Sequence, residues 1–232
     1  MRTMILGIMQ PYFLPYISYF QLIKAVDVYV LCDDLNYIKN GWINRNKILI
    51  NKENKLCTIS LRKASQNKLI NQIEIVDDFQ RLVKTVRVNY AKAPYFKETF
   101  VLLERILSYE DKCLSEFIVN SIKEILSYLQ IDTPILLSSQ IEKNCSLKGK
   151  DKVIDLCKIL GSELYINAIG GQLLYDKTEF ASHGIELKFL KTEFVPYKQF
   201  DNEFVPRLSI LDILMFNSVD EVNRMLDRYE LI

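Results

Sequence analysis

Residues 4–48 read MILGIMQPYFLPYISYFQLIKAVDVYVLCDDLNYIKNGWINRNKI, and their pattern indicates an α/β fold. Met4–Met9 is short, apolar and followed by Gln10-Pro11, which predicts a buried strand that ends at the proline. Ile17–Ala25 places apolar residues on one face of a short helix. Asp27–Leu31 is β-branched and aromatic, which predicts a second buried strand. A strand, a crossover helix and a second apolar strand form the start of a βαβ unit.

The rest of the chain continues the α/β pattern. Trp42–Ile50 and Leu56–Leu61 are strand-like and are joined by a polar turn, which predicts a hairpin after the second strand. Further strands are predicted at 71–76, 134–138, 163–168 and 185–190. Helices are predicted at 77–90, 97–108, 112–129, 151–160, 176–182, 209–216 and 219–229. We therefore predict one Rossmann-like α/β domain over residues 1–232, with a mostly parallel sheet and a helical insertion at about 77–130.

The composition favours a protein that acts on a small molecule. With 30 Lys+Arg and 29 Asp+Glu, the net charge of +1 lacks the basic bias of a general nucleic-acid or membrane-surface binder. The first apolar run is too short for a signal peptide, and no stretch approaches the roughly 18 apolar residues of a membrane span. The five cysteines are scattered and form no CxxC, which indicates a reducing compartment. We expect a soluble, cytoplasmic protein without a nucleic-acid partner or a membrane span.

Polar residues collect directly after four predicted strands. The four clusters are Gln10-Pro11-Tyr12-Phe13; Asp33-Asp34 with Lys39, Asn44 and Arg45; Ser138-Ser139-Gln140 with Cys145 and Lys148; and Asn167, Gly170 and Gly171 with Tyr175. In a parallel sheet, all four lie at the same edge, where open α/β sheets bind their ligands. The sequence therefore predicts a binding site at the carboxyl ends of the strands.

Each candidate also has a structural explanation. Asp33-Asp34 can hold a divalent metal with substrate phosphates or supply a general base, but paired aspartates are also common in turns. Arg45 and Lys39 can bind a phosphate or a carboxylate, or they can be surface residues. Gly170-Gly171 can let backbone N–H groups approach a ligand, although the pair belongs to no GxGxxG or Walker pattern.

Trp42 and His183 are the only residues of their kinds in the chain. Trp42 lies in the polar stretch NGWINRN, where its ring can stack on a base or a sugar or pack the hairpin onto the domain. His183 lies in a predicted turn, and a single histidine offers little for a Ser-His-Asp arrangement or a zinc site. We predict no metal site and identify no cofactor, so carboxylate, amide and guanidinium groups carry the predicted chemistry.

The N-terminal motif resembles that of the WbqC-like family, which is found among bacterial surface-polysaccharide gene clusters. The matching elements are Gln10-Pro11, Pro15-Tyr16, Tyr19-Phe20, Asp27, Asp33-Asp34 and Asn44-Arg45-Asn46. The resemblance continues through residues 90–96, 165–175 and 204–214, so it covers nearly the whole chain. Tyr12 replaces the His or Asn that often follows Gln-Pro in the family, which puts a general base at that position in doubt. Ser18 replaces a usual Gly.

The resemblance implies a transferase that attaches a glycyl or other acyl group to the amine of a nucleotide-linked amino sugar. The implied pathway is O-antigen or other surface-polysaccharide biosynthesis, and the implied partners are that sugar and an activated acyl or aminoacyl donor. Such chemistry needs a general base and hydrogen-bond donors that stabilise the developing oxyanion. The catalytic candidates are Asp33 or Asp34 as base, and Arg45. The substrate-binding candidates are Gln10, Pro11, Tyr12, Lys39, Trp42, Asn44, Asn167, Gly170, Gly171 and Tyr175.

Two other functions stay open at this point. The strand-loop-helix start also resembles the opening of nucleotidylyltransferase-like proteins, although the diagnostic HxGH is absent. That likeness favours an ATP-dependent nucleotidyl or adenylate-forming enzyme. A non-catalytic protein that binds sugar nucleotides is the third possibility.

Overall fold

The apolar run at the start of the chain forms an interior strand of a mixed α/β fold. The computed structural model describes residues 3–201 and 203–232. The strands, in chain order, are β1 (Met4–Met9), β2 (Val28–Leu31), β3 (Arg45–Ile50), β4 (Glu53–Thr58), β5 (Leu61–Arg62), β6 (Glu74–Ile75), β7 (Ile135–Leu137), β8 (Ser162–Ala168), β9 (Glu186–Thr192) and β10 (Tyr229–Leu231). The helices are α1 (Ile17–Lys24), α2 (Gln80–Tyr90), α3 (Phe96–Leu107), α4 (Leu114–Tyr128), α5 (Gly149–Ile159), α6 (Lys177–Ser182), α7 (Ile210–Phe216) and α8 (Val219–Leu226).

The main sheet has six strands in the order β10-β9-β8-β1-β2-β7. Four neighbouring pairs are parallel, and only β10 runs antiparallel to its neighbour β9. The chain moves from β1 to β2 and β7 on one side, and then crosses to β8 and β9 on the other. The strand order therefore reverses between β1 and β8, which opens a crevice at the carboxyl ends of these strands. The prediction of a mostly parallel sheet is confirmed.

Helices cover both faces of this sheet, so its interior strands are apolar on both sides. Leu6 and Ile8 of β1 face a core formed with residues of α5 and α6, including Val153 and Phe180. The alternate residues of β1, beginning with Ile5, pack against the larger core, which contains residues of α1, α7 and α8. Because successive side chains of a strand point to opposite faces of the sheet, β1 contributes residues to both cores.

Two smaller elements flank the sheet. The strands β3 and β4 form an antiparallel hairpin over residues 45–58. The helices α2, α3 and α4 follow β6 and precede β7. Within residues 3–201 and 203–232, no helix combines the length and the apolar character needed to cross a membrane.

The structure corrects three local predictions. The last predicted helix, 219–229, ends at Leu226, and residues 229–231 form β10 instead, because the backbone groups at the edge of β9 pair with it. The predicted strand 71–76 is largely a 3-10 helix at Ile70–Gln72 followed by the two-residue β6. Neither Asp77 nor Asp78 is the cap of α2, which is Phe79 with φ of 59°. Asp77 accepts hydrogen bonds from the backbone N–H groups of Ser60 and Phe79.

Gly7 in β1 provides a test of how tightly the sheet packs. A Cβ atom at this position would lie 2.8 Å from Cδ2 of Tyr29. Tyr29 is fully buried and its ring packs edge-on against Tyr19 at 5.5 Å, so it has little room to move. We expect Gly7→Ala to lower the free energy of unfolding by about 2 kcal/mol through overpacking, measured by urea denaturation. Gly170→Ala meets open space and is the control; equal stability of the two variants would contradict this packing.

Candidate functional site

A cavity of about 420 Å³ lies at the carboxyl ends of β1 and β8, where the strand order reverses. We call it the strand-edge cavity. Its polar and aromatic walls include Gln10, Tyr12, Lys152, Asn167, Gly171 and Tyr175, and Gly170 also borders it. Cys32 contributes to the wall, and burial raises the pKa of its thiol to about 11, so the thiol stays protonated at neutral pH. The structure thus brings six of the predicted substrate-binding residues, from two strand ends, to one cavity.

Two further cavities adjoin the strand-edge cavity. The aspartate cavity, of about 460 Å³, is lined by Asp34, Cys145 and Lys148 and shares Gln10 and Lys152 with the strand-edge cavity. On the other side, the tryptophan groove, of about 410 Å³, shares Tyr12 with it. The tryptophan groove is also lined by Tyr16, Trp42, Lys47 and Arg207. The strand-edge cavity therefore lies between the other two and shares lining residues with each of them.

An ion-pair cluster lies where the strand-edge and aspartate cavities meet. The Asp34 carboxylate accepts from Lys152 Nζ at 2.6 Å and pairs with Lys143 Nζ at 3.0 Å. Burial alone would raise the pKa of Asp34, but the hydrogen bonds from Lys152 and Lys143 outweigh it and lower the pKa. Asp34 is therefore ionised at neutral pH, with one carboxylate held between two ammonium groups.

The two lysines of this cluster differ in what they can offer a ligand. Lys143 has a side chain only 2% exposed, and it also donates to the carbonyl oxygens of Ser138 and Ile141. Its donors are all engaged. Lys152 donates only to Asp34 among the described residues and lines both cavities. Because an ammonium group has three donors, Lys152 can bind an anionic or carbonyl oxygen in either cavity.

Two amide groups add further donors to the strand-edge cavity. Asn167 Oδ1 accepts from the backbone N–H of Ala168 at 2.8 Å, and no acceptor for its Nδ2 lies among the described residues. Gln10 is held through its backbone carbonyl, which accepts from Tyr19 Oη at 2.8 Å. In the described part of the chain, its side-chain Nε2 likewise has no acceptor. Gln10, Asn167 and Lys152 thus present unused hydrogen-bond donors to one space.

The loop after β1 is fixed by its neighbours. The Phe13 backbone N–H donates to the Ile43 carbonyl at 3.0 Å, and Asn46 Nδ2 donates to the Leu14 carbonyl at 2.8 Å. Pro11 belongs to this loop, is buried and does not line the strand-edge cavity. The bonds with Ile43 and Asn46 therefore fix the chain directly after the Gln10–Tyr12 segment.

Asp33 is occupied by structural hydrogen bonds. Its side chain is buried, and its Oδ1 accepts from the backbone N–H of Ser139 at 3.0 Å. Its Oδ2 accepts from Asn71 Nδ2 at 3.2 Å. These bonds tie the end of β2 to the turn after β7 and to the 3-10 helix that contains Asn71. Asp33 and Asp34, adjacent in sequence, thus lie in very different surroundings.

The remaining predicted residues lie in and around the loop before β3. Asn44 is buried, accepts from Tyr37 Oη at 2.9 Å and donates to the Ile59 carbonyl at 2.8 Å. The Arg45 guanidinium donates to the carbonyl oxygens of Gly41 and Asn40. Lys39 is exposed. None of these three residues lines the three cavities defined above, whereas Trp42 lines the tryptophan groove.

Gly171 supports the orientation of Asn167. A Cβ atom at Gly171 would lie 2.3 Å from Asn167 Nδ2, so a side chain there must displace the amide from the strand-edge cavity. We expect Gly171→Ala to weaken binding of a ligand in this cavity by about tenfold, the loss of roughly one hydrogen bond, measured by calorimetry. The matched control is Gly170→Ala, where a Cβ meets open space. Equal affinities of the two variants would show that Asn167 does not contribute to ligand binding.

Lys152 was not among the predicted site residues, although its position in the helical pattern indicates a special role. Lys152 lies four residues before Leu156 on the buried face of α5, where the helical period predicts an apolar residue. A lysine at such a position needs a buried partner, which is Asp34.

Within residues 3–201 and 203–232, no three His, Cys, Asp or Glu side chains are grouped so that they can hold a metal ion.

Comparison with known proteins gives a family match and a relative. The model of the WbqC-like protein family matches residues 10–224. The uncharacterized protein Rv1507c of Mycobacterium tuberculosis (strain ATCC 25618 / H37Rv) is 28% identical over 214 residues, which cover 90% of this chain and 91% of the relative. No solved structure matches the chain.

Proposed function

The chain belongs to the WbqC-like protein family, and we propose that it is a transferase acting on a nucleotide-linked amino sugar. It attaches a glycyl or other acyl group to the sugar amine during biosynthesis of O-antigen or a related surface polysaccharide. One observation carries this proposal: the strand-edge and aspartate cavities meet at Lys152, which lines both. Two adjacent cavities accommodate an acceptor and an activated donor, and the shared cation lies where they meet. We further propose that the chain works as one Rossmann-like domain, which its strand order supports.

The proposed reaction forms an amide bond. The neutral sugar amine attacks the carbonyl carbon of the donor, and the carbonyl oxygen becomes an oxyanion that Lys152, Gln10 and Asn167 can stabilise through hydrogen bonds. The attached nitrogen is then strongly acidic and gives its proton to the Asp34 carboxylate. The bond between the carbonyl carbon and the donor carrier breaks, and its electron pair leaves with the carrier. A proton transfer that follows attack suits a carboxylate whose pKa is lowered.

Asp34 is favoured over Asp33 as the proton acceptor. Asp34 lines the aspartate cavity, whereas Asp33 is buried and lines none of the three cavities. Arg45 was the third catalytic candidate, and its guanidinium donates to the backbone of its own loop. We therefore assign Arg45 and Asn44 to holding the loop that carries Trp42.

Mass spectrometry tests this proposal directly. The protein is incubated with dTDP- and UDP-linked amino sugars and with glycyl and acetyl donors activated as thioesters or as adenylates. The expected product is the amino sugar with the mass of one acyl group added, formed by the wild-type protein and not by Asp34→Asn. The proposal is wrong if no sugar across the panel gains mass, or if Asp34→Asn and Lys152→Gln both form product at the wild-type rate.

A second function is favoured by the topology. The crevice lies where the strand order reverses beside β1, and this is where open α/β sheets bind nucleotides. An adenylate-forming enzyme would join a carboxylate to AMP there and release pyrophosphate. Release of pyrophosphate with ATP, Mg²⁺ and glycine, without any sugar nucleotide, would favour this function. Binding of a sugar nucleotide without turnover under all conditions would instead favour a non-catalytic binding protein.

A further inference from the structure

The tryptophan groove has the composition of a binding site for an aromatic anion. Tyr12, Tyr16 and Trp42 contribute aromatic rings to its walls, and Lys47 and Arg207 contribute positive charge. Among the described residues that line it, none is an aspartate or a glutamate. A phosphate-bearing ligand with a flat ring is complementary to such a surface, because the ring can stack and the phosphates can pair.

Trp42 remains available for stacking even though two cations contact it. Lys47 Nζ lies 6.0 Å and Arg45 Cζ 5.9 Å from the ring centroid, and these contacts orient the indole. The residue is nevertheless 45% exposed. A tryptophan that packed the hairpin onto the domain would be covered, whereas nearly half of this residue's surface is accessible to a ligand.

Lys47 and Arg207 are cations without acidic partners in the described part of the chain. Neither forms an ion pair with any of residues 3–201 or 203–232. Other lysines have engaged carboxylates, as Lys150 has with Glu179 and Lys24 with Asp227. Two unpaired cations on one groove attract a ligand that carries more than one negative charge.

Arg207 is held at the groove by unusual backbone geometry. Its φ is +60°, a conformation that side-chain-bearing residues rarely adopt. The chain directly after it is fixed: the Ser209 N–H donates to the Lys47 carbonyl at 2.8 Å, and the Ile210 N–H donates to the Pro15 carbonyl at 2.9 Å. These bonds hold the segment that carries Arg207 beside the backbone of Lys47. Strained residues held in this way are concentrated at ligand sites.

We propose that the tryptophan groove binds the nucleoside diphosphate portion of the substrate, with the base on Trp42 and the diphosphate between Lys47 and Arg207. This inference rests on the proposed function, because it takes a nucleotide-linked sugar as the acceptor. Tyr12 borders both the groove and the strand-edge cavity. A nucleotide in the groove therefore points its sugar past Tyr12 toward Lys152. In this proposal Lys47 and Arg207 bind the phosphates, for which the sequence had offered Lys39 and Arg45; Lys39 is exposed and does not line the groove.

The single tryptophan makes the inference directly measurable. Quenching of Trp42 fluorescence is followed during titration with dTDP, UDP, GDP and CDP, and with thymidine and inorganic pyrophosphate as partial ligands. We expect at least one nucleoside diphosphate to quench the signal and to bind more than tenfold tighter than thymidine or pyrophosphate. Lys47→Gln and Arg207→Gln should each weaken its binding by about tenfold. Lys39→Gln is the matched control and should leave the affinity unchanged.

The Trp42→Ala variant has no tryptophan fluorescence, so its affinity for the nucleotide is measured by calorimetry. Loss of stacking should weaken nucleotide binding by about tenfold or more. The inference is overturned if no nucleoside diphosphate binds, if pyrophosphate binds as tightly as the best nucleotide, or if the affinity survives both Lys47→Gln and Arg207→Gln. Acyl transfer with unchanged KM in those two variants would overturn the inference and leave the proposed function intact. Nucleotide binding of the expected pattern without acyl transfer would support the inference and contradict the proposed function.

Discussion

Lys152→Gln is expected to lower kcat/KM for acyl transfer by about 100-fold or more. Lys152 carries the cation shared by the strand-edge and aspartate cavities, and glutamine offers the developing oxyanion a neutral amide in its place. Removal of one preorganised donor at such a position typically lowers kcat by roughly 10²–10³-fold. Because the effect concerns the transition state, kcat should fall more than the affinity for the nucleotide. Steady-state kinetics with the sugar that gains mass gives both quantities.

Lys150→Gln is the matched control for this variant. Lys150 lies on the same turn of α5, is exposed, and pairs with Glu179 at 2.7 Å outside the cavities. Its replacement should leave kcat/KM within about twofold of the wild-type value, since exposed ion pairs contribute little. If Lys152→Gln retained wild-type kcat while the fold was intact, Lys152 would have no part in the reaction.

Asp34→Asn is expected to lower the free energy of unfolding by about 3 kcal/mol at neutral pH. The substitution leaves Lys143, whose side chain is only 2% exposed, without a counter-charge, and unpaired buried charges are costly. Lys152 loses the same partner. Urea denaturation measures the change. Asp132→Asn, at an exposed aspartate with no ion pair among the described residues, should alter stability by less than about 0.5 kcal/mol.

The stability difference between wild type and Asp34→Asn should depend on pH. The lysines hold the pKa of Asp34 below its ordinary value of 3.8, so the unfolded chain takes up the proton first as pH falls. The stabilisation contributed by ionised Asp34 is therefore complete at pH values above 3.8 and is lost as pH falls through the pKa of the folded state. A difference that stays constant from pH 7 to well below 3.8 would show that the ion-pair cluster does not stabilise the protein.

Much of the fold follows from local sequence. Met4–Met9 is apolar on both faces, which predicts an interior strand, and the following Gln10-Pro11 predicts where that strand ends. By contrast, β10 has three residues and exists because the edge of β9 pairs with it, so no local pattern predicts it. The 3-10 helix at Ile70–Gln72 likewise depends on long-range bonds, such as that between Asn71 and Asp33.

The position of the candidate site was predictable, but the roles of its residues were not. Strand ends place Gln10 and Asn167 together because the sheet is parallel. The sequence cannot distinguish Asp33 from Asp34, since their difference lies in partners far along the chain. Asp33 is bonded to Ser139, 106 residues away, and Asp34 to Lys152, 118 residues away. Those contacts leave Asp33 enclosed and Asp34 at a cavity.

A crystal of the protein soaked with a nucleotide-linked amino sugar would locate the bound substrate, which we expect at the carboxyl ends of the strands. We predict density for the sugar between Gln10, Lys152 and Asn167, with its amine directed toward Asp34 and the base on Trp42. Bound sugar nucleotide elsewhere on the molecule, with the strand-edge cavity empty, would contradict the account.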